Sequence, residues 1–181
     1  MNEWIDWFQR VLDVSIRLYF RQECDLSSVY DIPLPKAGPL WKALLPEQVD
    51  PTFDEWMVLM LALMPHLSPQ MLDIFVVHNK NFDCPYTEFG GWKGLSHGGF
   101  LPTGETAVFL LAGDRVERRL EVVRLFREEH RFHMYHVVGL EGAGNGEPFL
   151  SGQLRISEDF LYRLSFEGEY KPDYNMGFLA K

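Results

Sequence analysis

The sequence predicts an α+β fold: a mainly helical single domain with one small antiparallel hairpin. Three observations predict it. Apolar residues recur at spacings of three, four and seven over residues 2–21. A nearly all-apolar stretch, Phe53 to Met64, follows a capping-box pair, Thr52 and Glu55. After residue 131 the apolar period drops to two, and a second strand-like run follows a glycine-rich turn. A chain of 181 residues with 46% hydrophobic and 14% aromatic side chains can bury a core, which excludes global disorder.

The first helix spans 2–21. Trp4, Phe8, Val11, Leu12, Leu18 and Tyr19 form its apolar face. Asp6–Arg10 and Asp13–Arg17 are acid-first pairs four apart on the opposite stripe. Five prolines between 33 and 51 predict an extended connector with a short turn around Trp41–Leu45. The helix from Phe53 is apolar all round and therefore central, and Pro65 is expected to end it. Ser68-Pro69 opens another helix to about Val77.

Residues 78–103 hold five glycines, two prolines and five aromatics. A segment this long without regular structure points to a binding loop or lid. Its aromatics predict an ordered irregular segment, part of it covering the core. Glu105 to Ala112 is a short helix with Thr103 as cap and Gly113 as stop. Asp114 caps the next, to about Phe126. Residues 131–141 and Phe149–Ile156 are the two strands, joined by the turn 141–148. Ser157-Glu158-Asp159 caps a last helix through Leu164. The expected organisation is one domain over 1–181: a helical lead-in (1–77), an ordered loop (78–104), a helix-helix-hairpin-helix unit (105–166) and a tail (167–181). Two helices followed by a hairpin make the second half winged-helix-like, which says nothing of function.

The net charge is −9. That balance opposes a phosphate-binding surface spread over the domain. The arginine-rich stretch 114–131 has six basic and five acidic side chains, so a salt-bridged, solvated face is expected there and nucleic acid is not an expected partner. The N-terminus lacks the basic start and apolar run of a secretory signal. No stretch approaches the roughly 20 apolar residues of a membrane span. Cys24 and Cys84 belong to no metal or redox motif; reduced, buried thiols of a cytoplasmic protein are expected, with a disulfide as the alternative.

Several constellations invite a chemical reading. Gly99-Phe100-Leu101-Pro102-Thr103-Gly104-Glu105-Thr106 has the glycine spacing of a phosphate-binding loop. Glu105 stands where that motif needs a lysine, so nucleotide is not expected there. His130, His133 and His136 lack a carboxylate or cysteine to complete a metal shell. Neither metal nor cofactor is expected. His78, Asp83, Cys84 and His97 share one loop, and a small enzyme built on it is the alternative reading. A winged-helix nucleic-acid binder is a further one. The aromatics of the same loop, with Lys93 and His97 between them, fit a protein-binding patch. Phe89, Trp92, Lys93 and His97 are its candidate contacts.

The run GGFLPTGETAVFLLAGD (98–114), then RRLEVVRLF (118–126), EPFLSGQLRISEDFLYRL (147–164) and EYKPDYNMGFLAK (169–181) resembles the N-terminal, pre-ATPase region of a group of bacterial AAA+ ATPases. That group is associated with contractile injection-system gene clusters. The resemblance covers residues 98–181; residues 1–97 match only as an aromatic-rich helical lead-in. It implies a non-catalytic domain that binds a substrate, adaptor or assembly protein, with ATP hydrolysis in a downstream module. The chain has no intact GxxxxGK[ST], so the family's ATP-binding residues have no positions here.

Overall fold

The computed structural model describes residues 1–36 and 50–165. The turn expected at Trp41–Leu45 and the tail 167–181 lie outside them. Among the described residues the fold is mainly helical, with two small antiparallel two-stranded sheets. Its buried apolar side chains form one cluster.

Helix α1 spans Asn2–Tyr19 and buries Trp4, Phe8, Val11 and Leu12 as the periodicity predicts, together with Trp7 and Val14. Asp13 and Arg17 pair at 2.9 Å. Arg10 does not pair with Asp6 but reaches Asp25 at 2.5 Å, because the chain turns back after α1 and brings a second carboxylate alongside. Ser28 caps a 3₁₀ turn, Val29–Asp31, that periodicity does not reveal.

Helix α2, Phe53–Leu67, is the central element. Every residue from Glu55 to Met64 is buried, and Trp4 of α1 lies 4.1 Å from Trp56, ring centre to ring centre. The capping box is formed: Thr52 N donates to Glu55 Oε2 at 2.7 Å and Glu55 N donates to Thr52 Oγ1 at 3.3 Å. Pro65 does not end the helix. It sits in the last turn, where its missing N–H costs a single bond, and Ser68 N still reaches Met64 O at 2.9 Å. Residues Pro69–Val76 are a 3₁₀ segment and not an α-helix. With three residues per turn, Leu72 and Phe75 fall on one line and both are buried.

Strands β1 (His78–Asn79) and β2 (Cys84–Pro85) pair antiparallel, His78 opposite Pro85. Helix α3, Gly104–Ala112, is buried apart from Glu105 and stops at Gly113, whose φ is +57°. Helix α4, Val116–Val123, packs on α3. Asp114 does not cap it; the cap position falls on Arg115, with no side-chain cap bond. A 3₁₀ turn, Arg124–Phe126, continues it.

Residues 131–134 form a helical turn, α5 (Arg131–Met134), where a strand was expected. Alternation would send Arg131 and Phe132 to opposite faces, yet both are buried. A turn of helix satisfies both, and His130 Nδ1 caps it by accepting from Phe132 N at 3.2 Å. The second hairpin is therefore shorter than expected. Strand β3 (Val138–Glu141) pairs with β4 (Gln153–Ile156), Val138 opposite Ile156. Helix α6, Glu158–Ser165, begins as expected at Ser157, whose Oγ accepts from Phe160 N at 3.1 Å. The helix, helix, hairpin, helix order is present with α5 inserted.

A candidate partner-binding surface

The segment 86–103 is a loop with a pinned neck and a free tip. Phe89, at the end of a 3₁₀ turn Thr87–Phe89, is 0% exposed. Its ring lies 4.7 Å from Phe109 and 5.2 Å from Tyr19 between ring centres. Tyr19 in turn hydrogen-bonds Glu88; burial first, then that carboxylate, pushes the Tyr19 hydroxyl upward. Thr106 of α3 is buried and donates its hydroxyl to Phe89 O at 2.8 Å. Gly90 and Gly91 follow with φ of +64° and +106°. A Cβ at Gly90 would lie 2.3 Å from Thr103 Oγ1, so only glycine lets the loop pass this close to the start of α3. Trp92 N donates to Leu101 O at 2.8 Å and closes the neck. Phe100 is buried against Phe75, 5.1 Å between ring centres.

Beyond that neck the side chains turn outward. Lys93 is exposed, Leu95 is fully exposed and Trp92 is 37% exposed. On the β1–β2 hairpin just upstream, Phe82 is 77% exposed. His97 is half-buried, and its Nε2 is shielded from solvent with no hydrogen-bond partner. A Cβ at Gly99 would come within 3.0 Å of that nitrogen. Burial, then the charges of Arg155 and His97, lower the pKa of His66 in the last turn of α2.

The four candidate contacts are thus divided. Trp92, Lys93 and His97 belong to the tip. Phe89 does not: its ring is locked in the aromatic core and cannot touch a partner, so its part is to anchor the neck. Phe82 and Leu95, more exposed than Trp92 and Phe89, are not among the four. Leu95 carries a signal, a leucine between Gly94 and Ser96 in a loop; Phe82 carries none without the hairpin.

The other constellations resolve otherwise. In the glycine-spaced run 99–106, Gly104 opens α3 in a buried position, where a Cβ would meet Leu140 Cδ1 at 2.8 Å. Glu105 pairs with Arg119, and the Thr106 hydroxyl is spent on Phe89 O. Gly104 N likewise donates to Gly152 O at 3.1 Å, so these groups are taken up within the fold. Cys84 is exposed, correcting the buried thiol expected, and both cysteines are free. Asp83 is exposed as well, 3.8 Å from His78, so these groups share no enclosed pocket. Among the described residues no group of three His, Cys, Asp or Glu side chains is placed to hold a metal. Arg118 pairs with Asp54 and Glu121, Arg119 with Glu105, Arg127 with Glu129 and Arg131 with Glu55. Carboxylates neutralise most of the arginine stretch. Among the described residues no single helix is long and apolar enough to cross a membrane.

Comparison with protein-family models, with curated proteins and with solved structures finds no match to the chain.

Proposed function

We propose that the chain is a non-catalytic protein-binding module whose contacts come from the 92–97 loop tip and the β1–β2 hairpin. One observation carries the reading: large apolar side chains, Leu95 and Phe82, stand in water on a loop tied at its neck and on a paired hairpin. Full burial of a leucine or phenylalanine is favourable by about 1.5–3 kcal/mol. Trp92 adds aromatic area, and Lys93 and His97 supply polar groups at the edge.

In the finer form of this reading, the module is the pre-ATPase domain of a bacterial AAA+ protein. It captures a substrate, adaptor or assembly component, and the downstream ring does the work. That form rests on the segments between 98 and 181 that resemble such proteins. It predicts a coding sequence that continues beyond Lys181 into an apolar strand and a GxxxxGK[ST] loop.

The binding itself is tested by photo-crosslinking in the native host. A photoreactive residue is placed at Leu95, at Phe82, and at exposed Glu158 as control. One dominant protein adduct at 82 and 95, with none at 158, is the expected result. No adduct, or equal labelling at all three positions, refutes the surface.

A further inference from the structure

Helix α4 has a second apolar face. Val122 points into the core, and Arg118 on the core side meets Tyr30 and Asp54. On the outer side Val116 and Leu120 are 64% and 65% exposed. With half-buried Val123 they make a row at i, i+4 and i+7. The row runs into an open groove of about 310 Å³ lined by Val123, Phe126 and Phe149, with Arg127, Glu128 and Glu129 at its rim.

The charges beside the row choose its occupant. Glu117 and Arg124 stand on the same flank at 100° per residue. Both are exposed, and neither forms an ion pair within the described chain. We propose that this face binds a second copy of the chain, with the two α4 helices antiparallel about a two-fold axis beside Leu120. The axis seats Leu120 against its counterpart and sets Glu117 of each copy against Arg124 of the other, twice. The same operation carries exposed Asp114, ahead of one helix, to the groove rim at Arg127 of the other copy. In a parallel arrangement the two-fold axis carries this flank to opposite sides of the interface, so Glu117 and Arg124 of the two copies do not meet and no charge pair forms between them. A closed two-fold contact uses the one patch on both copies. The eight-residue helix is only about 12 Å long, so the dimer is weak, with a Kd on the order of 10–100 µM. This surface is separate from the loop tip, and the inference stands apart from the proposed function.

Sedimentation velocity on the full chain, from about 5 to 500 µM, tests it. A monomer–dimer equilibrium is expected. Leu120→Glu raises the Kd by about tenfold or more. Glu117→Arg and Arg124→Glu each weaken the dimer several-fold, and the double swap Glu117→Arg/Arg124→Glu restores it. Leu120 is exposed, so its variant should keep the thermal midpoint; Val116→Ser is the second probe of the same row. A monomer at every concentration overturns the proposal. So does a dimer that Leu120→Glu and Val116→Ser leave intact, or a double swap no better than the single changes.

Discussion

Arg131 clasps Glu55 with two parallel hydrogen bonds, Nε to Oε1 at 2.5 Å and Nη2 to Oε2 at 2.6 Å, across 76 residues of sequence. Both side chains are buried. His130 Nε2 lies 3.3 Å from Oε1, and Thr52 donates to Oε2 through its backbone N–H and its hydroxyl. The carboxylate is therefore fully partnered, and it joins the first turn of α2 to α5. The neighbouring Asp54 takes Arg118 and the Tyr30 hydroxyl in the same way. Two arginines of the 114–131 stretch thus converge on the start of one helix.

Removing one member of that clasp leaves the other charge buried without its partner. Glu55→Gln is expected to destabilise the fold by about 3–5 kcal/mol. The double change Glu55→Leu with Arg131→Met, which removes both charges and keeps the volume, is expected to recover most of that loss. Urea unfolding of the three variants beside the parent measures it. A single change costing under about 1 kcal/mol would mean that water or relaxation replaces the pair.

The same carboxylate sets the acid limb of stability. Burial alone would raise its pKa, but the hydrogen bonds from His130, Arg131 and Thr52 outweigh burial and hold it well below the usual carboxylate range. A folded value below the unfolded one, about 4.3, contributes stability that is fully present above about pH 5. That contribution is lost as pH falls toward the folded value. Glu55→Gln should flatten this part of the profile. At the alkaline end the sign reverses. Burial, then the charge of Asp54, pushes the Tyr30 hydroxyl up to about 12 against the opposing hydrogen bond from Arg118. Its contribution is complete below about pH 10 and is lost as pH rises through 12. Tyr30→Phe removes that limb and takes away the one hydroxyl proton for which Asp54 Oδ1 and the Leu111 carbonyl, each 3.0 Å away, compete.

The loop neck is expected to fail at Gly90 before it fails anywhere else. Gly90→Ala must place a methyl 2.3 Å from Thr103 Oγ1 at a φ of +64°. Either the backbone or α3 has to move, at a cost above about 2 kcal/mol. Thr106→Val keeps the volume and removes the bond to Phe89 O, costing about 1–3 kcal/mol. In both variants hydrogen exchange at the Trp92 amide should accelerate, since its bond to Leu101 O closes the neck. Unchanged exchange there would show that Phe89 and Phe100 hold the loop by packing alone.

Local chemistry made the helices legible. Thr52 with Glu55, Thr103 before α3 and Ser157 before α6 announce their starts because capping is a contact of three residues. What sequence periodicity cannot show is a partner far along the chain. Arg131 and Phe132 look like one step of a strand until Glu55 arrives and draws Arg131 inward. Asp114 looks like a cap, but its helix starts one residue later. Arg10 prefers Asp25 over Asp6 for the same reason: the competing carboxylate is near only after folding. At the candidate surface, composition singled out the loop and named Trp92, Lys93 and His97, which the fold leaves at its tip. It could not separate Phe89, which turns into the core, from Phe82 and Leu95, which turn out. Aromatics in an irregular segment have no period from which a direction can be read.

That division between anchor and tip gives the sharpest functional prediction. Phe89→Ala should cost about 3–5 kcal/mol, the loss expected for a buried phenylalanine, and should abolish partner capture by undoing the loop. Phe82→Ser and Leu95→Ser should change stability by no more than about 0.5 kcal/mol, because their side chains already stand in water. Yet each should reduce capture of the crosslinked partner at least tenfold if the residue is an interface anchor, where truncation commonly costs above about 2 kcal/mol. Lys93→Ala, a charge at the edge, should change affinity only a few-fold and mainly through the association rate. Thermal melts and partner titrations on the same four variants separate the two classes. Stable Phe82→Ser and Leu95→Ser proteins that bind at parental strength would remove the loop tip and hairpin as the binding surface.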